Sequence, residues 1–499
     1  MGNFVAVYYR GRDSPLPSPT VATLGALAFV LILTAISPLG GAVPTISAPL
    51  SPDSAVAAAT SSAADWPTYL GHDNRTSASY AEKIISVASA SKMKVLWSFK
   101  ASKAVFTAPA VVAGTVFFGS WNGDEYAMNA TTGAMEWSQF LGTSTGCNHT
   151  EGVTSSATVM DNTVYVGGGN QYWYALSAST GKVLWKVNVS NLAKGYYNWA
   201  SPLIYNGEAY VGLASFCNMP SVPGELLEIN LASHKIVHRF DTTHHGVPGG
   251  SIWGSPMVDA ATNTVYAATG SPLAPYEPIY NETLLAFNAT TLKLTSFWQV
   301  PKSQSVFDGD FGSTPTLVQT GHTALVELVN KNGYFYAFDA TDIAKGPVWE
   351  YNTQTKNAIA PAALGGGLLY GGTQKGKYRG VTSDGALWAF YPSNGTVAWH
   401  HAFNGGVLGA PAYANGVVAV GAGHSFSVLN AKTGKLLANW TCTGNFDSAP
   451  AISHGVIYVG CASGSFFAIG ISNEAAHSGG PSIALLASST VAPALSRRV

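Results

Sequence analysis

The sequence predicts an all-β fold: an eight-bladed β-propeller of four-stranded antiparallel blades, preceded by one N-terminal hydrophobic helix. Three observations predict it. The composition favours strands, a strand-and-turn pattern recurs from about residue 94 onward, and the copies share opening prolines and closing tryptophans. The chain has 499 residues with 54 Gly, 47% hydrophobic, 11% aromatic and only 10% charged, too apolar for a disordered chain and too rich in glycine for a helical bundle. Lys and Arg number 25 against 26 Asp and Glu, and no basic tract occurs. Nucleic-acid binding therefore lacks its electrostatic driver.

Each copy opens with a small residue and proline before an apolar strand, as at Pro109, Pro202, Pro256, Pro315, Pro361, Pro411 and Pro450; Ser156 stands in for proline in the second copy. A second strand ends in glycine, and turns such as Asn122-Gly123, Asn332-Gly333 and Asp384-Gly385 lead to a third. Turns such as Thr131-Thr132-Gly133 and Lys432-Thr433-Gly434 supply a residue that tolerates positive φ. The fourth strand carries Trp137, Trp185, Trp298, Trp349, Trp399 or Trp440, while the third copy has Val237-His238-Arg239-Phe240 there. Because tryptophan recurs in every other copy, it reads as packing between blades. A lone blade cannot bury both faces, so the copies must stack around an axis.

The last copy, from Ala449 to Ile471, has three strands and no Trp strand. An unpaired strand with Trp97, Lys94 to Lys100, precedes the first copy, and placing it in the last blade closes the ring and removes two edges. Four cysteines in an exported chain read as two disulfides. Propeller topology puts the Cys147 and Cys217 loops on one face and Cys442 and Cys461 around the eighth blade, which predicts the pairs Cys147–Cys217 and Cys442–Cys461. Asn-x-Ser/Thr sequons at Asn74, Asn129, Asn148, Asn188, Asn281, Asn288, Asn394 and Asn439 permit glycosylation. His244-His245 reads as a solvated loop, since adjacent histidines on a strand point apart.

Residues 1–20 read as a cytoplasmic region whose Arg10 and Arg12 precede an apolar run. Residues 21–42 read as a cleaved signal or a retained membrane anchor, so the remainder is expected outside the cytoplasm, anchored at the membrane or secreted. Residues 43–64 form an Ala/Ser/Pro linker, 65–472 the propeller and 473–499 a disordered tail.

The copies from Tyr126 to Trp137 and from Tyr174 to Trp185 resemble the repeat of pyrroloquinoline-quinone (PQQ) type propellers over roughly residues 65–472. The stretch Trp66-Pro-Thr-Tyr-Leu-Gly-His72-Asp73-Asn-Arg75 is similar to the start of polyvinyl-alcohol dehydrogenase-like propellers and reads as a strap across the ring. Gly249-Gly250-Ser-Ile-Trp253-Gly254, Thr269-Gly270-Ser271, Asp310-Phe311-Gly312 and Lys331-Asn332-Gly333 resemble stretches of the quinoprotein alcohol dehydrogenases. That resemblance implies Trp253 as the platform under the quinone and Asp310, with Asp308 two residues before it, as the catalytic carboxylates. It implies Lys331 and Asn332 beside the quinone oxygens and Ser271 at the position of a calcium-binding Asn. An aspartate base and a cation beside the quinone suit hydride transfer from an alcohol.

Two departures point the other way. The family's calcium glutamate falls near Gly212 to Cys217, where no Glu occurs, and its Cys-Cys pair falls at Cys147, which is single. These argue against calcium. No CxxCH occurs, so haem is not expected and an enzyme would need a separate electron acceptor. Two functions follow as expectations: a PQQ-dependent oxidoreductase of alcohols or polyols, or a non-catalytic propeller that binds envelope proteins or carbohydrate. Tyr196, Tyr197 and Trp199 cluster before the third blade, at the same mouth.

Overall fold

The computed structural model describes residues 62–146, 148–218, 220–243, 246–272, 279–378 and 381–472. The expected hydrophobic helix, most of the linker, the tail, Cys147, His244 and His245 lie outside the described residues. Among the described residues, no helix is long and apolar enough to cross a membrane.

Eight antiparallel blades are present. They span residues 110–140, 158–188, 203–241, 257–299, 316–352, 363–403, 412–441 and 451–470, the last completed by Lys94–Lys100. The second and third strands of a blade bury both faces, as in Thr115–Gly119 and Tyr172–Ser177. They therefore read as apolar runs without alternation, whereas the outer strand Leu294–Gln299 alternates in exposure. A register shift recurs between third and fourth strands, as at Ala127/Met128, Ala337/Phe338 and Val428/Leu429, and such bulges increase the local twist.

The core is a set of layers between blades rather than one centre. One layer joins Met257, Tyr266 and Leu284 of blade 4 to Val326, Tyr336 and Phe338 of blade 5, and another joins Val164 and Leu176 to Phe117 and Trp137. The tryptophans lock these layers in a repeated way. The indole N–H groups of Trp97, Trp137, Trp349 and Trp399 donate to Ala130, Ala178, Pro392 and Ala431 of the following blade at 2.8–2.9 Å. Each ring lies on the glycine of the next blade's turn. A Cβ on Gly133 would sit 2.6 Å from the Trp97 ring, and the residue also holds φ +70°. Blade 2 varies this contact, with Trp185 stacked on His234 at 4.5 Å.

Ring closure follows the expected pairing. Lys94–Lys100 runs antiparallel to Ser465–Gly470, with Trp97 opposite Ala468. Cys442 and Cys461 form a disulfide. Cys217 is also disulfide-bonded, and the partner expected for it lies outside the described residues.

The segment after Ser62 is the expected strap, and it crosses one end of the axis. Backbone amides of Val111, Val159, Val258, Leu317, Leu364 and Tyr413, on the innermost strands of six blades, donate to carbonyls of Trp66, Pro67, Asp73, Asn74, Thr76 and Ser77. Arg75 is fully buried there. Its guanidinium donates to the carbonyls of Pro256, Pro202 and Tyr69 at 3.0, 3.0 and 2.7 Å and to the Thr68 hydroxyl at 2.9 Å. Burial pushes its pKa down to about 10, with Asp73 and Tyr69 opposing the shift.

The blade-opening hydroxyls correct one alignment. Ala108 N–H donates to Ser156 Oγ, Ser156 N–H to Ser201 Oγ, Ser201 N–H to Ser255 Oγ and Ser255 N–H to Thr314 Oγ1, each at 2.9 Å. Ser156 is thus equivalent to the residue before proline, and Ala157 occupies the proline position. The alignment slipped because the Ser155-Ser156 pair offers two hydroxyls side by side, and only the bond to Ser201 fixes which one is the equivalent.

Candidate active site

The loops joining successive blades and the loops between second and third strands meet at the mouth opposite the strap. Trp253 lies on the connection into blade 4, and Ser271 follows that blade's second strand. Asp308 and Asp310 lie on the connection from blade 4 to blade 5, and Lys331 follows the second strand of blade 5.

Four of the six residues singled out for this site meet. Lys331 Nζ lies 2.7 Å from Asp310 Oδ2 and 3.0 Å from Asp308 Oδ2, and 5.3 Å from the centroid of the Trp253 ring. A fifth, Ser271, joins through its backbone, whose N–H donates to Asp310 Oδ1. The Lys331 N–H donates to the Asp310 carbonyl at 3.0 Å, which ties the two loops together. Gly312 supports the platform from its edge, since a Cβ there would sit 2.4 Å from the Trp253 ring.

The sixth, Asn332, does something else. Its side-chain amide donates to the Tyr336 hydroxyl and the Gln304 carbonyl, both at 3.0 Å. Asn122 with Tyr126 and Asn170 with Tyr174 repeat the first of these bonds in blades 1 and 2. Asn332 therefore spends its amide on a turn that the blades share.

The electrostatics of the cluster are coupled. Burial raises the Asp308 carboxyl pKa, with the Lys331 charge opposing and the Asp310 charge adding. Burial alone would lower the Lys331 pKa, but Asp310 and Asp308 outweigh it and hold the pKa above its ordinary value. Lys331 is therefore an ammonium at neutral pH. Glu282, which the sequence reading missed, lies next to the cluster. It is buried, and Gly309 has no room for a Cβ because its carboxyl oxygen would be 2.3 Å away. Burial pushes its pKa up to about 7, with a Ser305 hydrogen bond opposing and the Asp310 charge adding. No sequence signal marks it, because a lone Glu in a strand-entry turn looks like a solvated one.

An axial cavity of ≈150 Å³ adjoins the cluster. Trp253 and Trp199 line it, the hydroxyl-bearing Ser156, Ser201, Ser255 and Thr314 form one side, and Tyr69 of the strap also lines it. Of the other aromatic residues noted before blade 3, Tyr197 is buried against Trp199 and Phe216, and Tyr196 donates its hydroxyl to Glu225 at 3.2 Å.

The donor set brings together an aromatic surface, a cation and carboxylates of the kind that suit the ring of a quinone. Trp253 offers a half-buried aromatic surface with the Lys331 ammonium over it, 5.3 Å from the ring centroid. For calcium, no group of three or more His, Cys, Asp or Glu among the described residues is arranged to hold a metal ion.

Comparison with known proteins agrees with the expected resemblance. The PQQ_2 family, described as outer membrane protein assembly factor BamB, matches residues 54–191, 126–399 and 331–476, and the chain belongs to this family. Two similar relatives are polyvinylalcohol dehydrogenases. The one from Sphingopyxis sp. (strain 113P3) is 24% identical over 438 residues, covering 77% of this chain and 62% of the relative. The one from Pseudomonas sp. is 25% identical over 454 residues, covering 75% and 70%. The chain thus spans less than two thirds of the Sphingopyxis relative's length. A quinohemoprotein alcohol dehydrogenase from Comamonas testosteroni superposes with a TM-score of 0.70 at 16% identity, covering 84% of this chain and 82% of that one. At that identity the likeness establishes the fold, which many functions share.

Proposed function

We propose that this propeller is a PQQ-dependent oxidoreductase of alcohols or polyols, with Trp253, Asp310 and Lys331 forming its site. One observation carries the reading: loops of two blades bring an aromatic platform, a carboxylate and a cation to one place. The relatives named as alcohol-oxidising enzymes support it.

Bound PQQ supplies a two-electron acceptor. The chain supplies the rest. Trp253 gives the ring a flat apolar surface. Lys331, kept charged by two carboxylates, would supply a cation to stabilise negative charge on a quinone oxygen. Asp310 is oriented by the Ser271 N–H and the Lys331 ammonium, one on each oxygen, and keeps a lone pair to accept the alcohol's hydroxyl proton. Asp308, whose side chain is 43% exposed, shares the Lys331 charge and tunes the pair from the solvent side. No step is assigned to calcium. The enzyme would need a separate electron acceptor, and on this reading the chain works outside the cytoplasm, tied to the membrane by its N-terminal segment or secreted.

A second reading is a scaffold that binds envelope proteins, favoured by the description of the matching family. One titration separates the two. Purified protein is mixed with PQQ, with and without calcium, and followed by absorbance, then by dye reduction with alcohols. Saturable binding and turnover support the enzyme; no binding at saturating quinone retires it and leaves the scaffold.

A further inference from the structure

After Ser77 the chain leaves the axis and runs over the turns that join the first and second strands of blades 6, 7 and 8. The Tyr80 hydroxyl donates to the Leu364 carbonyl at 3.1 Å, the Asn415 amide to the Ile85 carbonyl at 2.9 Å and the Gly455 N–H to Glu82 Oε2 at 2.8 Å. These bonds give residues 78–93 an inner and an outer side. Ile85, Ala90 and Met93 are buried in the layer shared by blades 7, 8 and 1. Glu82 is the only acidic residue of the stretch, and it is buried too, with its other oxygen accepting the N–H groups of Ile84 and Ile85. The outer side carries Tyr80, Ile84 and Val87, which are 53%, 56% and 40% exposed, and the exposed Lys83 and Lys92.

The fold thus leaves apolar side chains in water here and turns the one carboxylate away from them. Clustered exposed apolar residues mark a surface that meets something else. The charge around them has one sign. Turns between third and fourth strands open on the same side, where Lys182, Lys293, Lys432 and Lys435 are exposed and Lys345 pairs with Asp342. Besides Asp342, Asp161 is the only acidic residue in the strap-side turns among the described residues. The whole chain is nearly neutral, with 25 basic against 26 acidic residues, so placement rather than composition makes this side positive.

Apolar groups with a tyrosine among them and lysines around them match an anionic bilayer surface. The alkyl groups enter the headgroup boundary, and the ammonium groups meet lipid phosphates while their stems lie along apolar surface. The path of the chain favours a bilayer over a protein partner. The strap begins on this side, where the Ala64 carbonyl accepts the Ser453 hydroxyl of blade 8 at 2.7 Å. The apolar run read as a signal or anchor ends about 20 residues before Ser62, and a flexible chain of that length spans roughly 25 Å.

We propose that the strap side of the propeller is a docking surface for an anionic phospholipid bilayer, with Tyr80, Ile84 and Val87 at the headgroups and Lys83 and Lys92 on the phosphates. The mouth then opens away from the membrane, and Trp253, Asp310 and Lys331 are presented to molecules in solution. The inference rests on the proposed location outside the cytoplasm and needs no quinone.

The test uses the full chain with vesicles of phosphatidylcholine, alone or with one third phosphatidylglycerol. Ile84→Cys, Val87→Cys and Phe307→Cys are each labelled with an environment-sensitive dye. Cys217, Cys442 and Cys461 are disulfide-bonded and do not take it. Phe307, fully exposed on the connection into blade 5 at the mouth, is the comparison. Co-sedimentation reads attachment, and quenching by lipids with brominated acyl chains reads docking. With anionic vesicles the dyes at 84 and 87 should shift to the blue and be quenched at least threefold more than the dye at 307. Lys83→Gln combined with Lys92→Gln, or about 0.5 M salt, should at least halve that quenching. Sedimentation without quenching at 84 and 87 overturns the docking surface and leaves attachment standing; no sedimentation overturns both. Equal quenching at 307 also overturns it. So do dyes already shielded before lipid is added, which would mean that this chain's own apolar run or a second copy covers the patch. The two dye positions are judged separately, so one variant that fails to fold does not decide the outcome.

Discussion

The ammonium of Lys331 lies 2.7 Å from Oδ2 of Asp310, and both groups are largely buried, with 14% and 11% of their side chains exposed. The pair joins the connection into blade 5 to the loop after that blade's second strand. Asp310→Asn keeps the size and the acceptor for Ser271 N–H but removes the negative charge. Alcohol-dependent dye reduction should fall by at least a hundredfold with Tm nearly unchanged; full activity in this variant removes Asp310 as the base. Lys331→Met leaves two neighbouring carboxylates without their cation and should cost about 2 kcal/mol in denaturant unfolding.

The Trp97–Gly133 contact predicts an asymmetry between two glycines of similar φ. Gly133 and Gly114 hold φ +70° and +82°, but a Cβ would strike the Trp97 ring at Gly133 and meet nothing within 4 Å at Gly114. Gly114→Ala should cost about 1 kcal/mol, the backbone penalty alone. Gly133→Ala should cost about 3 kcal/mol, because it also forces the tryptophan off its seat. Equal losses in urea unfolding would mean that the indole does not rest on that turn.

Arg75 holds the strap with the hydrogen bonds of a fully buried guanidinium. Lysine keeps the charge but cannot spread donors in a planar fork. Arg75→Lys should therefore destabilise the fold by about 3 kcal/mol, as expected when a buried charge loses its partners. Limited proteolysis should then cut first between residues 62 and 93. Cleavage elsewhere at the wild-type rate would show that the strap is held by its backbone bonds alone.

Glu327 is buried, with neither carboxyl oxygen hydrogen-bonded among the described residues, beside Leu325 and Val329 on the blade 5 face packed against blade 6. Burial pushes its pKa up to about 8. The folded state then holds a proton that the unfolded chain releases above its ordinary value of 4.5. Stability from this group is full below about pH 4.5 and declines as pH rises towards 8, by about 5 kcal/mol in all. Glu327→Gln should flatten the wild-type loss over that window, measured as the difference between the two stability–pH curves. Parallel curves would place the proton elsewhere, for instance on Glu125, whose pKa burial also raises well above normal.

Much of the fold was legible because each blade carries its own instructions. The turn at Thr131-Thr132-Gly133 and Trp137 are local features copied from blade to blade. The leftover Trp97 strand and the incomplete last copy mark the closure in the sequence itself. The site was legible in part. Trp253, Asp310 and Lys331 stood out only through a family resemblance. Asn332 looked the same in sequence but serves a turn that other blades share. Glu282 gave no sign, because burial rather than residue type makes an acidic side chain unusual.

By itself the amino-acid sequence determined the repeat, the blade number and the seam, since strand periodicity and turn chemistry act over a few residues. Only the tertiary structure decided that Arg75 spans two blades beneath the axis, that Lys331 reaches both aspartates and Trp253, and that Glu82 turns inward onto the Gly455 N–H. Those contacts join residues far apart in the chain. Their geometry exists only after the ring has closed and water has been excluded from between the blades.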